Sequence, residues 1–394
     1  MSGSPLRNDG IAELLAIESE EREGHVRRAY RRASRRAFTW PVEAADLVAG
    51  GDSLTELAGV GPFLARRIRA WLDDPPWVPE PPEIRRDFLT VPRAAAILAA
   101  EPQRRTARGD LQMHSTWSDG TASVEEMARA GAALGYSHVA VTDHSRTLRI
   151  AGGIDEAELE AQGGEIAGVN RALAAEGARI RVLHSVELNL SPAGEGDLDP
   201  AALARLDLVL GSFHSALRRT DDQTARYAAA LRNPHVHVLG HPRGRIYDHR
   251  VGLRADWRAV CAEAAALDKA LEIDAYPDRQ DLNVELLEEA RAAGARISIG
   301  TDAHAPGELA YLDLGLAAAA AAGVPRERIL NYLDTDELLA WAERVRSGRR
   351  RPGGRGPGAA KTPERGGAGV SSRAEGVRGA KRRPRRGGGG GGGI

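Results

Sequence analysis

The chain has 394 residues, 42% hydrophobic and 28% charged, with a formal net charge of −1, values that suit a soluble globular protein of about two domains. No apolar run approaches the roughly 20 residues that span a bilayer, the opening Met1-Ser2-Gly3-Ser4-Pro5 lacks the apolar core of a signal peptide, and Cys261 as sole cysteine excludes a disulfide framework. A cytoplasmic location is expected. The near-zero charge conceals a division: residues 347–394 carry a net +11 and the residues before them a net −12.

In residues 21–38, Val26, Ala29, Tyr30, Ala33 and Ala37 recur at helical spacing, the stripe of an amphipathic helix. Arg27, Arg31 and Arg35, and beside them Arg28, Arg32 and Arg36, make two i,i+4 rows on its exposed side. Like charges so close repel, and a phosphate partner is one reason to keep them; a solvated face is the other. Next, Ser53-Leu54-Thr55-Glu56-Leu57-Ala58-Gly59-Val60-Gly61-Pro62 has a cap-like serine with glutamate three residues on, then breaks at two glycines before a helix predicted over residues 63–72. A glycine turn feeding a helix N-terminus is a ready anion site.

Together with Ala29-Tyr30-Arg31-Arg32-Ala33, this Gly-Val-Gly turn resembles the helix-hairpin-helix element in the small amino-terminal domain of family X DNA polymerases. The resemblance implies that Gly59, Val60 and Gly61 offer backbone N–H groups to a DNA phosphate, with Arg27, Arg28, Arg31, Arg32 and Arg35 as further DNA contacts. In some of those polymerases the domain is also a lyase, through a Schiff-base lysine. The matching position here is Arg67, and no lysine precedes Lys269. A guanidinium stays protonated and forms no imine, so lyase activity is not expected.

Five prolines within residues 75–82 end this first region, and residues 88–100 suggest a short helical connection. Thirty-seven residues separate Leu72 from Asp110, too few for a polymerase palm, so no polymerase activity is expected. From Gly109 onward, apolar strand-like runs alternate with helix-like runs over residues 124–134, 156–175, 222–232, 255–267 and 284–293. Counting Leu271-Glu272-Ile273-Asp274, seven strands fit a parallel α/β barrel, whose active site belongs at the C-terminal strand ends. The expected division is a helical DNA-binding region over 1–74, a proline-rich linker and connecting helix over 75–108, the barrel over 109–346 and a disordered tail over 347–394.

At those strand ends stand Gln112, His114, Asp119, His144, Glu187, His214, His241, Asp302 and His304. Imidazoles with a few carboxylates bind two or three cations and leave positive charge for a phosphoryl group. The set, with the phrases His-Ser-Thr-Trp-Ser-Asp-Gly, Thr-Asp-His-Ser, Gly-His-Pro-Arg-Gly-Arg and Thr-Asp-Ala-His, resembles the PHP (polymerase and histidinol phosphatase) family over residues 109–344, most of all the PHP domain attached to bacterial family X polymerases. The resemblance implies a distorted seven-stranded barrel holding two or three divalent ions (Mn²⁺, Zn²⁺ or Fe), with those nine residues as ligands and activated water as nucleophile.

Glu187 is the expected bridging ligand, since one carboxylate spans ions about 3.5–4 Å apart. His241 and Asp302 join it in the catalytic set, Asp143 is expected to orient an imidazole, and Arg243, Arg245 and Arg279 are candidate phosphate clamps that could equally close surface ion pairs. The family usually has His-x-His where this chain has Gln112-Met113-His114; the neutral amide oxygen is a weaker donor. His25, His138, His184, His235, His237 and His249 fall off the pattern, and Cys261 reads as a small core residue.

The tail, rich in Gly, Pro and Arg, cannot bury enough surface to order itself. It reads as a nucleic-acid tether or as the product of compositional bias, with 3 lysines beside 51 arginines in the chain. The expected activity is metal-dependent hydrolysis of phosphate esters on DNA, as a 3′-5′ exonuclease or in 3′-end processing during repair. The alternative is a small-molecule phosphomonoesterase acting on histidinol phosphate or nucleotides.

Overall fold

Seven short strands pair in sequence order and all in parallel: β1 (Gly109–Met113), β2 (His138–Val141), β3 (Arg181–Asn189), β4 (Leu208–Ser212), β5 (Val238–Leu239), β6 (Ala270–Asp274) and β7 (Arg296–Gly300). They belong to a computed structural model that describes residues 5–348; the basic tail expected from residue 347 lies, apart from its first two residues, outside them. The strands are buried almost throughout because both faces are covered, as a parallel sheet requires. A parallel bridge between Met113 and Ala303, with the Asp302 amide donating to the Gln112 carbonyl at 3.1 Å, brings the first strand to the last and nearly closes the barrel. The expected α/β barrel is therefore what the chain forms.

Six of the strands send Leu111, Ala140, Leu183, Leu210, Val238 and Ala270 into one buried cluster, which only the barrel interior allows. The helix Thr335–Arg346 plugs that interior with Leu338 and Trp341. Apolar side chains thus fill the barrel at one end, and polar ones remain at the C-terminal strand ends. Helices at Val124–Ala133, Glu156–Ala175, Thr224–Arg232, Trp257–Ala266 and Val284–Ala293 cover the outside, within two residues of the expected bounds. Cys261 is buried among them. No helix among the described residues is long and apolar enough to cross a membrane.

Ahead of the barrel come α1 (Asn8–Glu20), α2 (Gly24–Ala37), α3 (Ala44–Ala49), α4 (Pro62–Asp73) and α5 (Val91–Ala100). The first has no counterpart among the expected elements, although Ile11, Leu14 and Leu15 recur at helical spacing and are buried. Ser53 caps a single 3₁₀ turn, Leu54–Glu56, and Gly59 then turns the chain with φ +83°, a conformation that disfavours any side chain.

These helices share a core with the barrel. Tyr247, on the loop after β5, is packed among Leu15, Ala33, Phe38 and Phe88, its ring 4.7 Å from Phe38 and 5.2 Å from Phe88. Beside it, the buried Arg85 guanidinium donates to both Glu13 oxygens at 2.8 and 2.9 Å and to Glu20 at 2.7 Å. Arg31 donates to the Asp248 carboxylate at 3.0 Å and to its carbonyl at 2.9 Å.

Candidate metal centre

Glu187 near the end of β3 is the hub. It is fully buried, and its two oxygens face different imidazoles: Oε1 lies 2.7 Å from His241 Nε2 and 3.0 Å from His214 Nε2, while Oε2 lies 3.1 Å from His144 Nδ1 and 3.5 Å from His114 Nε2. His114 also reaches Asp302 at 2.9 Å. Asp119 Oδ1 sits 3.3 Å from His304, 3.6 Å from His144 and 3.9 Å from His114. Three groups of ligand atoms, each within 4.8 Å, emerge: His114, Asp119, His144 and His304; His144, Glu187 and His214; His114, Glu187 and Asp302. They share His114, His144 and Glu187 as corners, the arrangement of a polynuclear site.

The residues present fit divalent ions. Ring nitrogens of His114, His144 and His241 are buried without a hydrogen-bond partner, each an orphan worth about 1–3 kcal/mol unless it serves as a donor to a cation. Imidazole nitrogen with carboxylate oxygen is the donor set of Zn²⁺, Mn²⁺ and Fe. His241 and Asp302, both at strand ends, adopt φ of +21° and +53°, a left-handed conformation rare outside glycine and typical of residues held in place for function.

The electrostatics show mutual compensation. Burial alone would raise the Glu187 carboxyl, yet His144, His241 and His214 hold it well below the usual range. Burial likewise disfavours the charged His241 ring, but Glu187, Asp274 and Glu272 outweigh it and push the ring up to about 10. His304, similarly opposed by burial, is raised to about 9 by Asp119 and Asp302. Burial dominates at His144 and lowers it to about 4.

Gln112 lies in the same pocket, its amide between Glu187 and Glu272. With the amide turned so that its nitrogen donates to Glu272 Oε1 at 2.7 Å, the carbonyl oxygen is freed toward Glu187 and the cluster. Gly300 makes room for this pair, since a Cβ there would stand 2.4 Å from Gln112 Cβ and 2.6 Å from Glu272 Oε1.

Other expected site residues go elsewhere. Asp143 bonds no imidazole; it accepts from the Ser115 amide at 2.8 Å, the Ser115 hydroxyl at 2.6 Å, the Ser118 hydroxyl at 2.5 Å and Gln162 at 2.6 Å. Its neighbour His144 faces the cluster, and Asp143 instead fixes the loop after His114. Arg243 and Arg245 turn away too. Arg243 donates to the Val251 carbonyl at 3.0 Å, and the buried Arg245 lies over the Phe88 ring and donates to the Arg86 carbonyl at 2.9 Å. Arg279 does face the cluster, 3.5 Å from Asp302 and 3.8 Å from Asp274. Arg31 is engaged by Asp248, Val60 is buried, and Gly61 opens onto free space.

Glu272, Asp274, Asp110 and Asn189 were not singled out from the sequence. Glu272 accepts from the His241 amide at 2.6 Å, Asp110 accepts from the Thr301 and Gln112 amides at 3.1 Å, and Asn189 holds His214 Nδ1 at 3.0 Å. Burial, with Asp274 nearby, keeps Glu272 well above the usual carboxyl range. Acids at alternate positions within an apolar strand, as in Leu271-Glu272-Ile273-Asp274, were the available signal.

Residues 110–274 match the family model described as the PHP domain. The chain is 37% identical over 238 residues to the DNA polymerase/3′-5′ exonuclease PolX of Bacillus subtilis, covering 60% of this chain and 41% of that protein. A Syntrophotalea carbinolica protein named "Probable phosphatase" is 28% identical over 240 residues, 57% of this chain and 92% of the other. Among solved structures, histidinol phosphate phosphatase of Lactococcus lactis, complexed with zinc, L-histidinol and phosphate, aligns with a TM-score of 0.40 and 15% identity, covering 56% of this chain and 95% of that one. The chain thus spans about two-fifths of the Bacillus protein and nearly all of the Syntrophotalea one. Residues 110–274, which carry β1 to β6 of the seven-stranded barrel, thus form a PHP domain.

Proposed function

We propose that the protein hydrolyses phosphodiesters at DNA ends, as a 3′-5′ exonuclease or 3′-end processing enzyme, with His114, Asp119, His144, Glu187, His214, His241, Asp302, His304 and Gln112 holding two or three divalent ions. The observation that carries the reading is the Glu187 hub, with four imidazoles on its two oxygens and Arg279 at its rim. Mn²⁺, Zn²⁺ or Fe bound there supplies Lewis-acid activation of water and stabilises developing charge on a phosphoryl group.

The chain's own side chains do the rest. Arg279 donates to a phosphate oxygen as a planar, permanently charged fork. Asp110 and Thr301 brace the seam of the barrel beneath the ligands, and Glu272 orients both the His241 amide and the Gln112 side chain. Asp143 fixes the Ser115–Ser118 loop from which Asp119 projects.

DNA as substrate is supported by the glycine turn, whose Gly61 leads with open space into α4, and by the likeness to the Bacillus polymerase/exonuclease. A small phosphomonoester is the second reading, favoured by the near full-length match to the Syntrophotalea protein. Purified protein with Mn²⁺ and 5′-labelled DNA decides between them. Progressive shortening of the label-bearing strand is expected; intact DNA beside rapid release of phosphate from a monoester overturns the DNA reading.

A further inference from the structure

The arginines of α2 divide into two kinds. Arg31 is paired with Asp248. Arg28, Arg32, Arg35 and Arg36 form no ion pair among the described residues, and the Arg35 Nε is buried without any partner. These four line one wall of a cleft of about 510 Å³. Tyr276, Asp278, Tyr311 and His249, all from the barrel, line the other. One carboxylate therefore faces four unpaired guanidiniums, an uncompensated field that attracts anions.

One short segment of chain reaches both the cleft and the metal centre. Asp274 and Arg279 stand at the cluster, and Tyr276 and Asp278, between them in sequence, stand in the cleft. The Tyr276 hydroxyl donates to Glu308 at 3.2 Å, and the other Glu308 oxygen accepts from the His304 amide at 2.8 Å. Beside the cleft, the Arg218 guanidinium lies 3.1 Å from His249 Nε2 and adds to the positive charge there. Arg28, Arg32 and Arg36 advance by about 6 Å per step along the helix, a spacing on the scale of one nucleotide of an extended strand. The Tyr276 and Tyr311 rings, 5.5 Å apart and edge to face, give bases a surface to lie against.

We infer that this cleft is the extension of the active site that grips the sugar-phosphate backbone of a nucleic-acid strand beyond the scissile phosphate, with Arg28, Arg32 and Arg36 on successive phosphates. The inference rests on the DNA reading above and deepens it. The arginine helix does not carry a separate DNA-docking surface; it forms a wall of the catalytic cleft, and the enzyme prefers a polynucleotide to a small ester because of it.

The test is the double variant Arg32→Gln, Arg36→Gln, which removes two exposed charges and keeps the aliphatic carbon that packs on Gly59. Binding of a fluorescent single-stranded oligonucleotide, read by anisotropy with no turnover, should weaken about tenfold or more. The slope of log affinity against log salt should shrink by about one per arginine. In parallel, the ratio of kcat/KM for the oligonucleotide to that for bis(p-nitrophenyl) phosphate should fall at least tenfold. Unchanged binding and salt slope, or an equal fall for both substrates, overturns the cleft. If the wild-type protein cleaves no DNA, the DNA reading fails separately, and the anisotropy alone still decides whether the cleft holds a strand.

Discussion

The Tyr247 hydroxyl, on the loop that follows His241, lies 2.9 Å from the Ser34 hydroxyl on the arginine helix. A residue of the barrel thus sits in the core of the helical region, and the segment carrying one proposed metal ligand is held by side chains more than two hundred positions away.

Replacing Tyr247 by Ala should therefore cost about 3–5 kcal/mol, the range for a buried aromatic, while Tyr247→Phe, which loses only a hydrogen bond, should cost about 1 kcal/mol. Urea titration measures both. For the same reason, deleting residues 1–92 removes Phe38 and Phe88 from the Tyr247 ring and should lower hydrolysis of a small chromogenic phosphate as well as of DNA. A truncated protein that turns over the small substrate at the full rate would show that the shared core does not support the His241 loop.

Arg85 is the polar half of the same junction. Arg85→Ala leaves Glu13 buried without its partner and should destabilise the protein by about 3–5 kcal/mol. Adding Glu13→Ala should restore part of that loss. A double-mutant cycle in denaturant reads the coupling, and strict additivity would mean that the pair contributes nothing.

Acid should destabilise the fold through two histidines remote from the metal cluster. Burial, followed by Arg346 and Lys269, pushes His237 down to about 3; burial, followed by Arg108, pushes His138 down to about 4. The His237 Nδ1 accepts from the Val209 amide at 3.1 Å and must stay unprotonated to do so. Unfolded, both rings titrate near 6.5, so below that pH the unfolded state binds more protons. Their contribution to stability is complete above about pH 6.5 and declines as pH falls toward 4 and then 3, by up to about 1.4 kcal/mol per pH unit for each ring. Unfolding free energies measured from pH 7 to pH 4 should show this acid limb, and His237→Gln should flatten it; an unchanged slope would remove His237 as its source.

Chelation should abolish hydrolysis and Mn²⁺ should restore it, with the melting temperature rising as the ion is added. Saturation at a hundred times Kd corresponds to about 2.7 kcal/mol. His241→Ala should lower the bound metal measured by elemental analysis and eliminate turnover of every phosphate ester.

Arg279→Ala makes the complementary separation. It should leave bound metal in place and reduce kcat/KM by about a hundredfold or more, the loss typical of one preorganised donor to developing charge. Loss of metal in this variant would assign Arg279 to holding Asp302 in position.

The order of strands, the barrel and the ligand-type residues at its strand ends were legible in the chain, because alternation of apolar runs and the residue at the end of each run are local properties. The first helix escaped notice although its apolar spacing was regular, and Glu272 and Asp274 were read only as strand. Their significance depends on which strands meet across the barrel, and that is set by packing. The direction of long charged side chains was likewise undetermined by sequence. Arg31 and Arg35 belong to one row of one helix and line the same cleft, yet Asp248, 217 residues away in the chain, engages only the first. Arg243 and Arg279 both looked like phosphate clamps, and only Arg279 faces the cluster. Sequence by itself determined a metal-type barrel next to a basic helix. Tertiary structure decided that the two share a core and a cleft, because burying Tyr247 and compensating Arg85 are long-range events that no local pattern encodes.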